Sequence, residues 1–531
     1  MPQGSAGTAE VIIGLDVGTT TVRASAYAVG GGRVGSAVRQ YPLLHPETGF
    51  AEQDPDVVVA AALATVGDLV AGLGQRRVLA LACSAALHGL VGLDADHHPL
   101  TPLVTWADDR SREQCASLYA SHQAFELHHL SGIPVHTMSP LTKLMWFAQH
   151  EPELCQQVRW WVGLKDYLVL RLTGRLTSEV SSASASGLLG MHSRTWDEGL
   201  LELAGISEHQ LAEVYPVTAT FPLTDQAAQA CGLPVGLPVV LGAGDGPLAN
   251  IGAGAMAPGV AALTLGNSGA VRTLAREPGV DERGTLFCYA LTEDTWVVGG
   301  PLSNGGMVLT WALDLVGADL CRDDPDHAHD ALVALAEAIP AGSDGLVMVP
   351  YLIAERAPLW DPSLHGTLLG LRRSHGRGHL VRAAMEGVAM QLAAIVDAFD
   401  EVSPITAVRA SGGAFRSPLW GRIVASMVDR PTTVIGESDG PSLGAAALGL
   451  LALGRATTLT EAVRSLQPQA LGPGAAIVTD PDEVALYRSL RAEVPNLLED
   501  QLQLAAAFPA GDSHHQVGGP GHRSLHRIKG G

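Results

Sequence analysis

Two α/β domains closing on a shared cleft are the architecture this sequence predicts, on three observations. Apolar strands alternate with helical patterns, through short connections, in both halves of the chain. A strand, a glycine turn and a second strand open the chain from Ile12 to Tyr27. The same grammar returns after the midpoint, in AALTLGNSGAVRTLA at 261–275. A length of 531 residues is too great for one core and suits two large domains.

The first hairpin runs from an apolar strand into Asp16, turns at Gly18, Thr19 and Thr20, and resumes through Arg23. Glycine lets backbone approach a bulky anion, and successive N–H groups form an anion-binding nest. Asp16 beside phosphates is unfavourable unless a cation lies between them, so the tip implies a metal–nucleotide complex, most simply Mg²⁺ with ATP and Asp16 on the metal. The second hairpin turns at Gly266, Asn267, Ser268 and Gly269. Two phosphate hairpins from a duplicated domain, closing on one nucleotide, are the arrangement of the actin-like (ribonuclease H-like) ATPase fold. The sugar kinases share that fold.

Strands are predicted at 10–16, 22–29, 78–83 and 90–94, and helices at 55–73, 109–121 and 140–149. The second half repeats the scheme with strands at 239–243, 261–265, 270–275, 285–290 and 295–298. Its helices are predicted at 304–317, 329–338, 378–400, 417–428 and 442–453. The glycine–alanine segment 251–259 reads as junction and hinge. The expected division is a flexible N-terminus at 1–9, an N-terminal domain at 10–254 on the sugar side and a C-terminal domain at 255–500 on the nucleotide side. A disordered, histidine-bearing tail is expected at 505–531, where apolar periodicity ends.

Hydrophobic residues make up 47% and charged residues 16%, as in a well-buried globular enzyme. A net charge of −21 argues against a nucleic-acid partner, and an anionic substrate must then find its positive groups locally. The N-terminus lacks a basic region followed by an apolar core, so no signal peptide is read. The apolar stretches 57–74 and 443–454 read as buried helices rather than membrane spans. Six scattered cysteines without a Cys-x-x-Cys pair suit reduced thiols and a cytoplasmic location. Lysine occurs only at Lys143, Lys165 and Lys529.

Asp245 follows an apolar strand in LGAGDG, where a carboxylate points into a cleft and glycines leave room for substrate. There it could take a proton from a hydroxyl attacking a γ-phosphate; locally it reads equally as a turn aspartate. In VRASGGAFRSPLWGRIVASMV, Gly412 and Gly413 suit close approach of a flat ring, and Ser417 before Pro418 is an N-cap. The small-residue helix from Ser442 is expected to pack beneath that pocket.

From about Val11 to about Leu497 the chain resembles the FGGY carbohydrate kinases. MSPLTKLMWFAQH (138–150) and GTLLGLRRSHGRGHLVRAAMEG (366–387) match the two family signatures. The resemblance implies ATP-dependent phosphorylation of a terminal hydroxyl on a polyol, ketose or sugar acid. By the same resemblance, Asp16, Gly18, Thr19, Thr20 and Arg23 match the first phosphate motif, and Gly266, Asn267 and Ser268 the second. Asp245 matches the base, and Gly306, Gly412, Gly413 and Ser417 match positions lining the adenosine. The sugar side matches at Leu87, His88, Trp106, Asp108 and Met138. Two positions depart from many relatives: Asn267 stands for threonine, and Gly246 stands for glutamine, enlarging the sugar pocket and losing a polar contact.

Without the resemblance, His88 reads as a satisfied core histidine and Trp106 as a packing residue. Lys143 reads as structural, and Lys165 is balanced between roles. The combination CSAALHGLVGLD, TWADDR, HTMSPLTK, GDG and ERAPLWD is most similar to the gluconate kinases of the family, with xylulose kinases as the alternative. A protein-coupled ATPase or an inactive sugar sensor is the competing class; neither requires both a full sugar side and Asp245. The expected partner is therefore a small-molecule sugar acid, with no nucleic acid and no membrane. Oligomeric state is not legible, and a homodimer is an open assembly. For an acid's carboxylate, the candidates near the sugar motifs are His88, Lys165 and Arg110.

Overall fold

The computed structural model describes residues 9–361, 364–436 and 440–507. The expected flexible N-terminus, up to residue 8, and the expected tail from 508 lie outside the described residues.

The first half builds a six-stranded sheet from β1 (Glu10–Val17), β2 (Thr21–Ala28), β3 (Gly32–Gln40), β4 (Arg77–Ala85), β5 (Thr220–Pro222) and β6 (Pro238–Gly244). Their order is β5-β6-β4-β1-β2-β3. β1, β2 and β3 form an antiparallel meander, and β4 and β6 add parallel to β1. The second half uses β7 (Val260–Leu265), β8 (Gly269–Ala275), β9 (Phe287–Thr292), β10 (Thr295–Leu302), β11 (Ala407–Ser411), β12 (Thr432–Val434) and β13 (Ala475–Ala476). Their order is β9-β10-β8-β7-β11-β12-β13. Here too a hairpin, β7–β8, is extended by an antiparallel strand on one side and by parallel strands on the other. The duplicated grammar of the sequence is a duplicated topology.

β3 was not expected: it is an edge strand whose GRVGSAVRQ alternates around half-exposed small residues and lacks an apolar face. Helix 109–121 shortens to Arg112–Ala120, and helix 304–317 becomes α4 (Met307–Val316), because 304–306 packs on the second glycine turn. Four other helices position the site: α1 (Pro55–Ala71), capped by Asp54, α2 (Pro140–His150), α3 (Asp245–Gly252) and α5 (Arg377–Val402). By length and composition α5 is apolar enough to cross a bilayer. Its most apolar window is 83% buried by the rest of the fold, as a core helix would be.

α6 (Pro418–Val428) begins at Ser417, whose Oγ accepts the Trp420 N–H at 3.2 Å. α7 (Gly440–Ala452) corrects an expectation. It packs on α3 and on the face of the first sheet formed by β1 and β4, away from the Gly412–Gly413 turn it was expected to underlie. Its backbone comes so close that a Cβ on Gly14 would lie 1.9 Å from Ser442 O. A segment of the second half thus completes the core of the first. The last helix, α8 (Pro481–Ala507), carries regular backbone through 505–507, where the tail was expected to begin.

Candidate active site

The two glycine turns face each other across the cleft. In the first, the Gly18 N–H closes on Thr21 O at 3.0 Å, and Asp16 stands opposite Arg23 in the β1–β2 register. In the second, the Gly266 N–H donates to Ser268 O at 2.9 Å. Among the described residues, the N–H groups of Thr19, Thr20, Asn267 and Ser268 donate to no backbone oxygen, so each turn keeps two successive amides for an anion. Gly306 and Gly412 press on the second turn from two sides. A Cβ on Gly306 would lie 2.7 Å from Gly266 O, and one on Gly412, at φ +109°, 2.4 Å from Leu265 O. Gly413 follows in a short 3-10 turn that leads to Ser417.

Ser84 Oγ donates to Asp16 Oδ1 at 2.8 Å, fixing the carboxylate at the tip of the first hairpin. No group of three His, Cys, Asp or Glu able to hold a metal occurs among the described residues. A cation at Asp16 would therefore complete its shell with phosphate oxygens and water, which suits Mg²⁺.

Between the turns lies a cavity of about 260 Å³. Thr19, Leu87, His88, Trp106, Met138, Asp245 and Ser268 all line it, so the fold brings residues scattered over 250 positions to one cavity. Asp245 begins α3, and its Oδ1 accepts the Gly246 N–H at 2.7 Å. Burial raises its carboxyl above the usual carboxylate range, and the Arg272 guanidinium opposes that rise.

The Trp106 Nε1–H donates to Thr19 Oγ1 at 2.7 Å, tying the sugar side to the first phosphate turn. His88 adopts a left-handed backbone, φ 67°. Its Nδ1 lies 2.9 Å from Ala185 O and its Nε2 3.2 Å from Tyr289 Oη. The tautomer this assigns has Nδ1–H donating to the carbonyl and Nε2 accepting from the phenol. Burial, reinforced by Lys143, pushes the imidazole down to about 3, so the ring is neutral. Lys143 on α2 is fully buried and donates to His88 O, Thr105 O and Met138 O at 2.7, 2.7 and 2.9 Å. One ammonium thus fastens the three sugar-side segments together, the structural role read from its helix.

Three expectations fail. Asp108 does not line the cavity: it is fully buried, accepts the Ala51 N–H at 2.7 Å and pairs with Arg110 Nε at 2.7 Å. Arg110 is used up by Asp108 and Glu52, with its guanidinium 4.0 Å above the Phe50 ring. Lys165 is buried in an ion pair with Glu179. Only His88 of the three carboxylate candidates reaches the cavity, and it arrives uncharged.

The cavity's cations are two arginines the sequence did not single out. Arg272 and Arg356 both line it, with Phe287 and Tyr289 from β9, two strands from Arg272. Arg356 is held by Ser303 Oγ at 3.2 Å and Leu302 O at 3.0 Å, and lies 5.2 Å from the centre of the Trp106 ring. The signal was present in GAVRTLA, where a charge interrupts an otherwise apolar strand.

This geometry can hold a polyphosphate between two glycine turns and present a hydroxyl to a buried carboxylate. Comparison with known proteins agrees. Residues 11–252 match the N-terminal domain of the FGGY family of carbohydrate kinases, and residues 261–453 its C-terminal domain. The chain belongs to that family. Like other FGGY kinases it is an ATP-dependent sugar kinase with a small-molecule sugar as acceptor.

A gluconokinase of Bacillus subtilis is 35% identical over 453 residues, covering 84% of this chain and 88% of that protein. Among solved structures, a gluconate kinase and a ligand-bound xylulose kinase, both from Lactobacillus acidophilus, are each similar at TM-score 0.87 and 31% identity. Each comparison covers 94% of this chain and 99% of the other. Overall shape therefore does not choose between a sugar acid and a ketose. The groups in this FGGY kinase's cavity must.

Proposed function

We propose that this kinase phosphorylates D-gluconate at its 6-hydroxyl, giving 6-phospho-D-gluconate and ADP, in the cytoplasm. The observation that carries the reading is the charge of the cavity. In a protein of net charge −21, its lining holds two guanidiniums against one carboxylate, with His88 neutral. A neutral ketose leaves those cations uncompensated; a sugar acid balances them.

In this reading Asp245 is the general base. The substrate hydroxyl attacks the γ-phosphorus, the bond to the bridging oxygen breaks, ADP departs with that electron pair, and Asp245 takes the hydroxyl proton. Burial raises the carboxyl and so keeps it basic. Asp16 would hold Mg²⁺ on the phosphates, while the free amides of both turns bind phosphate oxygens. Trp106 and Met138 wall the sugar, and His88 orients Tyr289. Gly306, Gly412, Gly413 and Ser417 shape the adenosine side.

The measurement that tests the reading is kcat/KM on gluconate against xylulose with the purified enzyme. Gluconate is expected to win by at least tenfold. A higher value on xylulose makes the enzyme a ketose kinase.

A further inference from the structure

Arg272 is an anomaly in this cavity. Among the described residues it forms no hydrogen bond or ion pair, and its Nε is buried without a partner. A guanidinium carries five donors, and leaving one desolvated and unbonded is costly. The fold nonetheless makes room for it. A Cβ on Gly299, its register partner on β10, would lie 2.8 Å from Arg272 Cγ, and one on Gly246 would lie 3.2 Å from Arg272 Nε. The space at Gly246 is therefore not an empty enlargement of the pocket. Arg272 fills it.

We infer that Arg272, with Arg356 and Tyr289 beside it in the cavity lining, is the site that reads the substrate's carboxylate. This rests on the gluconate reading and names its specificity determinant. The register supplies the length. Arg272 lies three residues along β8 from Gly269 at the phosphate turn. At ~3.4 Å per residue that sets their Cα atoms about 10 Å apart, and the Arg272 side chain reaches from there to Gly246. Tyr289 is braced for the task. Its ring stacks on Phe287 at 4.0 Å and 10°, and its hydroxyl meets His88, whose other nitrogen is taken by Ala185 O. Arg356 is anchored by Ser303 Oγ and Leu302 O, so one fixed cation and the unbonded Arg272 both act on the Tyr289 phenol. The competing role, an arginine that acts on the transferring phosphoryl group or on Asp245, would serve every substrate alike.

The test compares gluconate with D-glucitol, the same carbon chain ending in an alcohol, read as substrate or as competitive inhibitor. In the parent enzyme, gluconate should be preferred over both glucitol and xylulose. Arg272→Gln should cost about ten- to a hundredfold on gluconate, mainly in KM, while glucitol changes less than threefold; Arg272→Lys should recover part of the loss. Calorimetric titration of gluconate without nucleotide should show the same weakening. If Arg272→Gln does not fold, as judged by its melting transition, Gly246→Gln is the second variant. Its side chain takes the guanidinium's space, and the same selective loss is expected. An equal fall in kcat on both compounds, or an unchanged gluconate-to-glucitol ratio, overturns the inference while leaving the gluconate reading intact. A parent enzyme that prefers xylulose overturns the reading itself.

Discussion

At Asp245 the fold supplies surroundings that local sequence leaves open. A turn aspartate and a base look alike in LGAGDG, yet this one lines a cavity with Trp106 and His88, and burial raises its carboxyl. Asp245→Asn keeps the shape and removes the proton acceptor. Turnover should fall by ~10²–10⁴-fold with nucleotide affinity unchanged, as read by steady-state rate and calorimetric titration. A variant retaining more than about a tenth of parental activity would contradict the role. His88 shows the opposite lesson. Its position in the site was expected, but as a possible cation; held neutral by burial, it acts through Tyr289.

Elements decide how rigid the cleft is. α2 contributes one buried ammonium to three carbonyls, and α7 crosses from the second half to lie on β1. The α7 contact depends on a missing side chain in the middle of a strand. Gly14→Ala would place a methyl group against Ser442 O, backbone on backbone, where no flexible side chain can yield. A loss of about 2–3 kcal/mol is expected, seen as a lower urea midpoint with an unchanged slope. A midpoint within error of the parent would show that α7 can slide.

The whole molecule carries two consequences. His128 and His136 are buried, and burial pushes each down to about 4. The unfolded chain binds protons there near 6.5, so between 6.5 and 4 it holds more protons than the native state. Stability must fall as pH falls through that window. Asp166, raised by burial to about 6, works the other way and offsets part of the loss. His88, pushed by burial to about 3, and Lys143, pushed by burial to about 7, add to the loss. From pH 7.5 to 6 the net loss should be about 2–3 kcal/mol, measurable as a drop in urea midpoint; a rise would refute it.

The second consequence concerns closure. We propose that the halves move about 251–259, where Gly252 abuts Gly440 and Arg409 Nε holds Ala253 O at 2.7 Å. Phosphoryl transfer to a sugar must exclude water, a competing acceptor. Small-angle scattering should show a smaller radius of gyration with saturating gluconate and a non-hydrolysable ATP analogue than without them. No compaction would locate water exclusion in the static cleft instead.

By itself the sequence determined the duplicated α/β plan, both glycine turns and the family, because these are local. Turn chemistry, apolar periodicity and contiguous signatures are written within a dozen residues. Tertiary structure alone decided which charges remain available. Arg110 and Lys165 sit near the sugar motifs in sequence, yet each is consumed by a carboxylate brought beside it, Asp108 and Glu52 for one and Glu179 for the other. Arg272 looks like an ordinary strand residue, yet it ends in the cavity with no hydrogen bond or ion pair among the described residues, in space opened by glycines 26 positions before it and 27 after. The physical reason is that a charge's role depends on what lies within a few ångströms of it, and here folding brings those neighbours from distant parts of the chain.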